Sequence, residues 1–238
     1  MLIGSVVGLL GVTAGFLTTV SGMGGGLMLV IALSALWGPH VALPTTALAL
    51  LAGNLHRLAL FRGHLRPEIA RPLLVGMVPG SIIGSLLVAG MPAGLIHVVM
   101  LALAAFALAR ALLGWRWQIP RAALAPAGGA VGVMAGTSGG AAVLTAPLLL
   151  ASGLRGDEYL ATVALAAVAM HVSRTIGYGA GGLVGAGTFA WAGVLAVALI
   201  IGNLIGKRVR SRLPEALRTG LEYGVLAACT ALSLLGIG

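Results

Sequence analysis

Residues 1–56 read MLIGSVVGLLGVTAGFLTTVSGMGGGLMLVIALSALWGPHVALPTTALALLAGNLH and contain no Asp, Glu, Lys or Arg. Residues 122–154 form a second stretch without a charged side chain. Only 8% of the 238 residues are charged and 59% are hydrophobic, whereas a soluble domain carries about 25% charged residues. The Leu, Ala and Val runs show none of the alternation of a membrane β-barrel. The composition therefore predicts an all-α polytopic membrane protein.

Gly, Pro and charged residues divide the chain into about ten apolar segments, which predicts 8–10 transmembrane or re-entrant helices. A full crossing needs about 20 apolar residues. Segments 24–37 and 139–153 are shorter, so each is expected to be a half-helix or one arm of a re-entrant hairpin. The predicted segments are 2–20, 24–37, 42–61, 69–90, 93–113, 121–136, 139–153, 158–178, 186–206 and 215–236.

The chain contains an internal repeat. Ser21-Gly22-Met23-Gly24-Gly25-Gly26 has a counterpart in Gly136-Thr137-Ser138-Gly139-Gly140, and further matches follow in the same order. Such a collinear series predicts two homologous halves, residues 1–118 and 119–238, within one membrane domain. The further matches are Thr45 with Thr162, Asn54 with His171, Arg57 with Arg174, Phe61 with Tyr178, Gly80 and Gly84 with Gly202 and Gly206, and Pro92 with Pro214.

The basic residues indicate how the two halves are oriented. The chain has 14 Lys and Arg but 5 Asp and Glu, and the basic side chains cluster between apolar segments, as in cytoplasmic loops. This distribution argues against nucleic-acid binding. The loop after the third segment is basic in the first half, but its equivalent at 179–187 is uncharged. Equivalent loops are thus expected on opposite sides of the membrane, with both termini outside. The clusters are Arg62, Arg66 and Arg71; Arg110, Arg116 and Arg121; and Lys207, Arg208, Arg210, Arg212 and Arg218.

An inverted-topology repeat is typical of secondary transporters, whose substrate site lies at the repeat interface and is exposed to each side in turn. The two Gly-rich turns are the first candidates for that site, because a helix that begins after each turn would direct free N–H groups at a small anion. The alternative is that these glycines only allow close helix packing, as expected for Gly80, Gly84, Gly202 and Gly206. The candidates are Ser21, Gly22, Gly24, Gly25 and Gly26 in the first turn and Thr137, Ser138, Gly139 and Gly140 in the second.

Arg57 and Arg174 are the second pair of candidates, since ionisable residues within membrane spans are usually functional. Asn54 and His171 precede them by three residues and so share their helix faces. Arg57 could instead reach the cytoplasmic interface beside Arg62, and His171 could be a packed histidine. The scarcity of acidic residues within the apolar segments favours an anionic substrate.

No cofactor or metal site is expected. Cys229 is the single cysteine, so clusters of cysteine ligands are excluded. The expected partners are the lipid bilayer and a small anion, with a proton or a sodium ion as the coupling ion. A homo-oligomer is left open.

Several motifs resemble those of the TauE/SafE family of sulfite-exporter-type transporters. Gly22-Met23-Gly24-Gly25-Gly26 is similar to its Gly-x-Gly-Gly-Gly signature, and Pro44-Thr45-Thr46-Ala47 and Ala161-Thr162 are similar to its Ala-x-x-Thr pattern. Tyr178-xxx-Gly182-Leu183-Val184 and Gly202-xxx-Gly206 resemble the ends of its second repeat. The resemblance implies movement of sulfite, thiosulfate, sulfonates or related organic anions across a bacterial cytoplasmic membrane, and no enzymatic activity.

Two other functions fit parts of the sequence. Gly136-Thr137-Ser138-Gly139 looks like the Gly-x-Ser-Gly of rhomboid intramembrane proteases, and His171 could activate Ser138 as a nucleophile. Against this, the first-half turn has no serine at the matching place. The same fold could also form a passive anion channel.

Overall fold

The computed structural model describes residues 2–114 and 119–214, together with isolated positions between 217 and 231. All regular structure in these residues is helical, which confirms the all-α class, and the first nine predicted segments each correspond to one helix. Arg116, Arg218, Cys229 and most of the segment 215–236 lie outside the described residues. The helices are α1 (Leu2–Val20), α2 (Gly25–Trp37), α3 (Pro39–Phe61), α4 (Pro67–Val88), α5 (Ala93–Leu112), α6 (Leu124–Ser138), α7 (Ala141–Ala151), α8 (Gly156–Ala180) and α9 (Ala186–Arg210).

Five of these helices, α1, α4, α5, α8 and α9, are long and apolar enough to cross a membrane. The chain is therefore a multi-pass membrane protein. By contrast, α2 has 13 residues and α7 has 11, and at 1.5 Å per residue neither helix spans a hydrocarbon core of about 30 Å. The two short helices are the ones that follow the Gly-rich turns.

Helices α3 and α8 pack against each other in antiparallel orientation. Leu43, near the start of α3, shares a buried cluster with Tyr178, near the end of α8. Phe61, at the end of α3, shares another cluster with Tyr159, near the start of α8. These two helices also carry the predicted intramembrane arginines.

Glycines allow two further helix pairs to approach closely, α4 with α6 and α1 with α9. A side chain on Gly80 would overlap the backbone of Gly129, and one on Gly202 would overlap the backbone of Val12. Such small-residue contacts are the usual basis of close helix packing in membranes. Gly80 and Gly202 therefore have the packing role expected from the sequence.

Two basic clusters lie at one end of the helix bundle, which we call the basic end. Arg66 donates from Nε to Glu158 Oε1 at 2.9 Å, and Arg210 lies 3.9 Å from a carboxylate oxygen of Asp157. Both acidic residues are in the first turn of α8. The hydrogen bond to Glu158 raises the pKa of Arg66 above its usual value, so Arg66 stays charged at every physiological pH.

The uncharged loops after α4 and α8 lie together at the end of the helix bundle opposite the basic end. A side chain on Gly181 would lie 3.0 Å from the methyl group of Ala89. Met91 and Leu183 both pack on the buried cluster that contains Leu43 and Tyr178. The loop after α3 is thus at the basic end and the loop after α8 is at the other. An inverted repeat requires this arrangement, and the repeat itself stays a prediction.

Candidate functional site

The first Gly-rich turn joins α1 to α2. Gly22 and Gly24 have φ angles of 88° and 87°, which glycine adopts without strain. Both residues are buried, and a side chain on Gly22 would overlap the ring of Tyr159 in α8. Glycine is therefore required here both by the backbone conformation and by a contact with the second half of the chain.

The second turn joins α6 to α7 and is packed in a similar way. Gly139 has a φ angle of 78°, and a side chain there would lie 2.8 Å from Val30 and 3.0 Å from Leu43. Because Leu43 belongs to α3, each turn contacts the long helix of the other half. The two turns therefore lie where the halves meet.

Each turn is followed by the N-terminus of a short helix. Helix α2 begins at Gly25 and α7 at Ala141, and their N-cap residues are Gly24 and Gly140. Neither N-terminus has a side-chain cap, so N–H groups of the first turn remain for another acceptor, and the helix dipole adds partial positive charge. Such helix ends favour anions. Gly26 lies in the same buried first turn of α2.

The hydroxyl groups predicted to assist at these turns are engaged within their own helices. Ser21 Oγ donates to Leu17 O at 2.8 Å. Thr137 Oγ1 and Ser138 Oγ both donate to Met134 O, at 3.0 and 2.6 Å. In this state, the donors available to a ligand are accordingly backbone and guanidinium N–H groups.

Arg57 is buried, with 2% of its surface exposed. Its Nη1 donates to Thr18 O at 2.8 Å, close to the end of α1 and the first turn. Its Nε has no hydrogen-bond partner among the described residues. The side chain does not extend to the interface beside Arg62, so the predicted alternative of an interfacial arginine does not describe this structure.

Arg174 is fully buried and is held more firmly. Its Nε and Nη2 donate to the hydroxyl of Tyr178 at 3.3 and 3.1 Å, and Nη1 donates to Gly139 O at 3.5 Å. The same hydroxyl donates to Gly136 O at 2.5 Å. Tyr178 thus fixes Arg174 to the second turn. Each predicted arginine thus contacts one backbone carbonyl of its own half: Arg57 contacts Thr18 O in the last turn of α1, and Arg174 contacts Gly139 O in the second Gly-rich turn.

His171 is buried, with 3% of its surface exposed, and it lies next to Arg174. Arg174 Nη1 lies 3.2 Å from His171 Nδ1. A guanidinium can only donate, so Nδ1 is the acceptor and the imidazole is neutral. Asn54, the predicted repeat partner of His171, is also buried, and its Nδ2 donates to Leu50 O at 2.7 Å.

The carboxylates of the described residues do not neutralise these buried arginines. Glu68, Asp157 and Glu158 all lie at the basic end, where they pair with Arg66 and Arg210. Arg57 and Arg174 thus carry buried positive charge without an ion pair in the described part of the chain. In the same residues, no three His, Cys, Asp or Glu side chains are grouped to hold a metal ion.

A pocket of about 590 Å³ opens at the basic end, between the end of α3, the start of α8 and the end of α9. Phe61, one helical turn beyond Arg57, lines it, and Lys207 Nζ lies 6.0 Å from the centre of the Phe61 ring. Arg210, also in the lining, donates to Val20 O at 2.6 Å. The pocket therefore approaches Arg57 from the side with the basic loops. Its other lining residues include His64, Asp157, Glu158, Ser211 and Leu213.

Three contributors to the site were not predicted as site residues. Tyr178 was noted as the predicted repeat partner of Phe61 and as part of a family motif, but its hydroxyl also links Arg174 to Gly136. Tyr159 packs on Gly22 from the other half. Asn203, next to Gly202, accepts from Thr19 at 2.9 Å and donates to Gly53 O at 2.8 Å, so it joins α1, α3 and α9. The sequence feature that could have identified these three residues is a polar or aromatic side chain within an apolar segment.

The protease alternative needs Ser138 and His171 to form a hydrogen-bonded pair. Instead, the Ser138 hydroxyl donates to Met134 O and His171 Nδ1 accepts from Arg174. These contacts occupy the hydroxyl hydrogen and the basic nitrogen that a nucleophile and its base would share. Ser138 and His171 therefore do not form the pair that the protease alternative requires.

We predict that Tyr178→Phe lowers anion exchange by about tenfold, because a hydrogen bond to a charged group contributes about 1.5–3 kcal/mol. The substitution copies Phe61, its repeat partner, so the helix packing is expected to persist. Exchange of labelled anion by the purified protein in proteoliposomes, with a thermal melt of the same preparation, measures both properties. Unchanged exchange would mean that the hydroxyl does not position Arg174.

Comparison with known proteins gives one match. A protein-family profile described as "Sulfite exporter TauE/SafE" matches residues 7–234. No curated protein and no solved structure matches the chain.

Proposed function

The chain belongs to the sulfite exporter TauE/SafE family, whose members transport sulfite or related anions across membranes, and from this premise we propose how it does so. It carries a small sulfur-containing or organic anion across a bacterial cytoplasmic membrane. The anion binds between Arg57 and Arg174, near the two Gly-rich turns, and reaches each side of the membrane by alternating access.

The burial of two arginines without an ion pair carries this proposal. An unpaired buried charge costs several kcal/mol, and Arg57 and Arg174 are 2% and 0% exposed. Their contacts are neutral carbonyl, hydroxyl and imidazole groups. An anion supplies the missing negative charge. Sulfite and thiosulfate present several oxygens, so one ion can accept hydrogen bonds from guanidinium groups and helix N-termini together.

The packing between the two halves supports alternating access. Helix α1 packs on α9 and α4 packs on α6, while α3 contacts α9 and α4 contacts α8. Under the proposed repeat, the helices of each pair exchange roles, since α1 corresponds to α6, α3 to α8 and α4 to α9. A two-fold relation of this kind allows the two halves to exchange conformations. The site then closes to one side of the membrane and opens to the other.

The two arginines differ in how they are held, and this difference supports an order of events. Arg174 is fixed by Tyr178 and Gly139, whereas Arg57 has one carbonyl contact from Nη1 and a free Nε. The pocket of about 590 Å³ lies on the Arg57 side. We infer that an anion from the cytoplasm meets Arg57 first and that Arg174 completes the site.

The proposal is tested by exchange of labelled anions in proteoliposomes that contain the purified protein. We predict saturable uptake of labelled sulfite or thiosulfate that is accelerated when the same unlabelled anion is trapped inside. Sulfoacetate and acetate measure the range of accepted anions, and choline is the cationic control. A non-saturable flux without this acceleration would indicate the channel alternative, and no flux of any anion would contradict the proposal.

A further inference from the structure

His171 is a buried titratable group with a role that anion binding alone does not explain. It is 3% exposed, and its Nδ1 lies 3.2 Å from Arg174 Nη1. Its repeat partner is Asn54, which can donate and accept hydrogen bonds but cannot take up a proton. Only the second half therefore carries a titratable group at this position.

We propose that His171 is the proton site of this transporter, so that one proton binds and crosses together with each anion. The inference rests on the anion site proposed above and adds the coupling ion to it. It is carried by the contact between Arg174 and His171 Nδ1 and by the position of Arg57.

The hydrogen bond to Nδ1 defines one protonation state of His171. Arg174 Nη1 donates to this nitrogen at 3.2 Å, so the imidazole holds its single proton on Nε2. A second proton would give three positive charges in one buried region. While this hydrogen bond is in place, the histidine is therefore neutral.

Anion binding changes this balance. An anion between the guanidinium groups accepts the N–H of Arg174 that previously pointed at Nδ1, and this hydrogen bond to the imidazole breaks. Nδ1 then takes up one proton from the solution and keeps it, and the new N–H donates a hydrogen bond to an anion oxygen, so that the imidazolium carries N–H on both nitrogens. For a monovalent anion, the net charge of the site is the same before and after binding.

Anion and proton consequently favour each other's binding. This linkage is reciprocal, because any group that strengthens anion binding when protonated is protonated more readily when the anion is bound. A carrier that moves between its two states with both ligands bound transports them in the same direction. Net movement then follows the sum of the anion and proton gradients.

The charged surroundings of His171 are limited in the described part of the chain. Arg174 and Tyr178 share its helix, and Arg57 comes from α3. Helices α6 and α7, which also pack on α8, contain no ionisable residue. The other ionisable groups on the helices that pack against α8 lie near the helix ends or contact other residues. His40 contacts Met91 O, and His56 contacts Asn203. Arg62 and His64 lie in the turn after α3, and Glu68 and Arg71 lie in the first turns of α4.

The test measures protons and anions in the same proteoliposomes. Thiosulfate is the probe, because it does not titrate near neutral pH, and a trapped pH-sensitive dye reports proton entry. For the wild-type protein we expect about one proton per thiosulfate. A pH gradient of about one unit, acid outside, should raise accumulation about tenfold, the factor that corresponds to one coupled proton.

His171→Asn gives the second half the residue that the first half already has. We expect exchange that is weaker but measurable, no proton entry with thiosulfate, and no response to the pH gradient. His40→Asn is the matched control, because His40 starts α3 and contacts Met91 O at 3.0 Å, and it should keep the wild-type ratio of protons to anions.

Three results would overturn the inference. One is thiosulfate exchange by the wild-type protein without proton entry, another is accumulation driven by a sodium gradient instead, and the third is full coupling in His171→Asn. Each of these leaves the anion site intact. If the wild-type protein exchanges neither sulfite nor thiosulfate, the proposed function fails and this inference fails with it.

Discussion

Arg174→Ala is expected to lower anion exchange by at least about 30-fold. Removing one member of a buried, hydrogen-bonded charge pair costs about 2–5 kcal/mol, and the proposed pair here is Arg174 with the bound anion. The side chain also holds together Tyr178, His171 and Gly139. Loss of the Arg174 side chain therefore removes a positive charge and also the hydrogen bonds that hold the second turn in place.

The measurement is initial exchange of labelled sulfite and thiosulfate across a range of concentrations. Arg174→Lys keeps the charge but loses the planar fork that contacts three partners, so we expect it to retain more exchange than alanine does. Arg62→Ala is the control, because Arg62 is exposed at the basic end. Exchange within twofold of wild type in a folded Arg174→Ala protein would remove this arginine from the site.

Arg57→Ala, made in parallel, separates the roles of the two arginines. Arg57 has the looser contacts and lies on the pocket side, so its loss should mainly raise the anion concentration needed for half-maximal exchange. Arg174→Ala should reduce the maximal rate as well. If both substitutions changed the half-maximal concentration and the maximal rate in the same way, the two arginines would have the same role and the prediction would be wrong.

The second large effect is expected on the thermal stability of the protein. Alanine substitutions at two glycines of α9, Gly202 and Gly193, should change it in opposite directions. A side chain on Gly202 would overlap the backbone carbonyl of Val12 in α1, whereas one on Gly193 would meet nothing within 4 Å. Gly202→Ala must push α1 and α9 apart, and overpacking of this kind costs about 1–3 kcal/mol. Gly193→Ala should instead stabilise α9 by about 0.5–1 kcal/mol, because alanine restricts the unfolded chain.

Thermal melts of the two variants in detergent micelles test this difference in sign. We expect a lower Tm than wild type for Gly202→Ala and an equal or higher Tm for Gly193→Ala. Both residues are helical and have no positive φ, so backbone strain cannot account for a difference. Equal melting temperatures would show that α1 and α9 tolerate a wider separation than their packing here implies.

The two candidate arginines were visible in the sequence because arginines within long uncharged stretches are rare. Arg57 and Arg174 were identified from their predicted repeat positions, and the structure shows that both are buried, Arg57 against Thr18 O near the end of α1 and Arg174 against Gly139 O in the second turn. Their role in binding stays a prediction. The choice between a buried and an interfacial Arg57 was open, because a helix pattern does not show how a neighbouring helix covers a side chain. The contact with Thr18 O closes that choice.

The tyrosines show what the sequence could not supply. Tyr178 contacts Gly136 O across 42 positions of the chain, and Tyr159 packs on Gly22 across the two halves. No local pattern encodes such contacts, since they depend on how α8 crosses the turns. Asn203 joins three helices for the same reason.

The amino-acid sequence by itself determined that this chain is a bundle of membrane helices, because the bilayer offers no partners for backbone N–H and C=O groups and an apolar run must satisfy them within a helix. It also marked the Gly-rich breaks and the intramembrane arginines. Only the tertiary structure decided that Arg174 contacts His171, that both arginines are buried and that no described carboxylate pairs with them. Charge interactions depend on distance through space, and helix packing sets that distance.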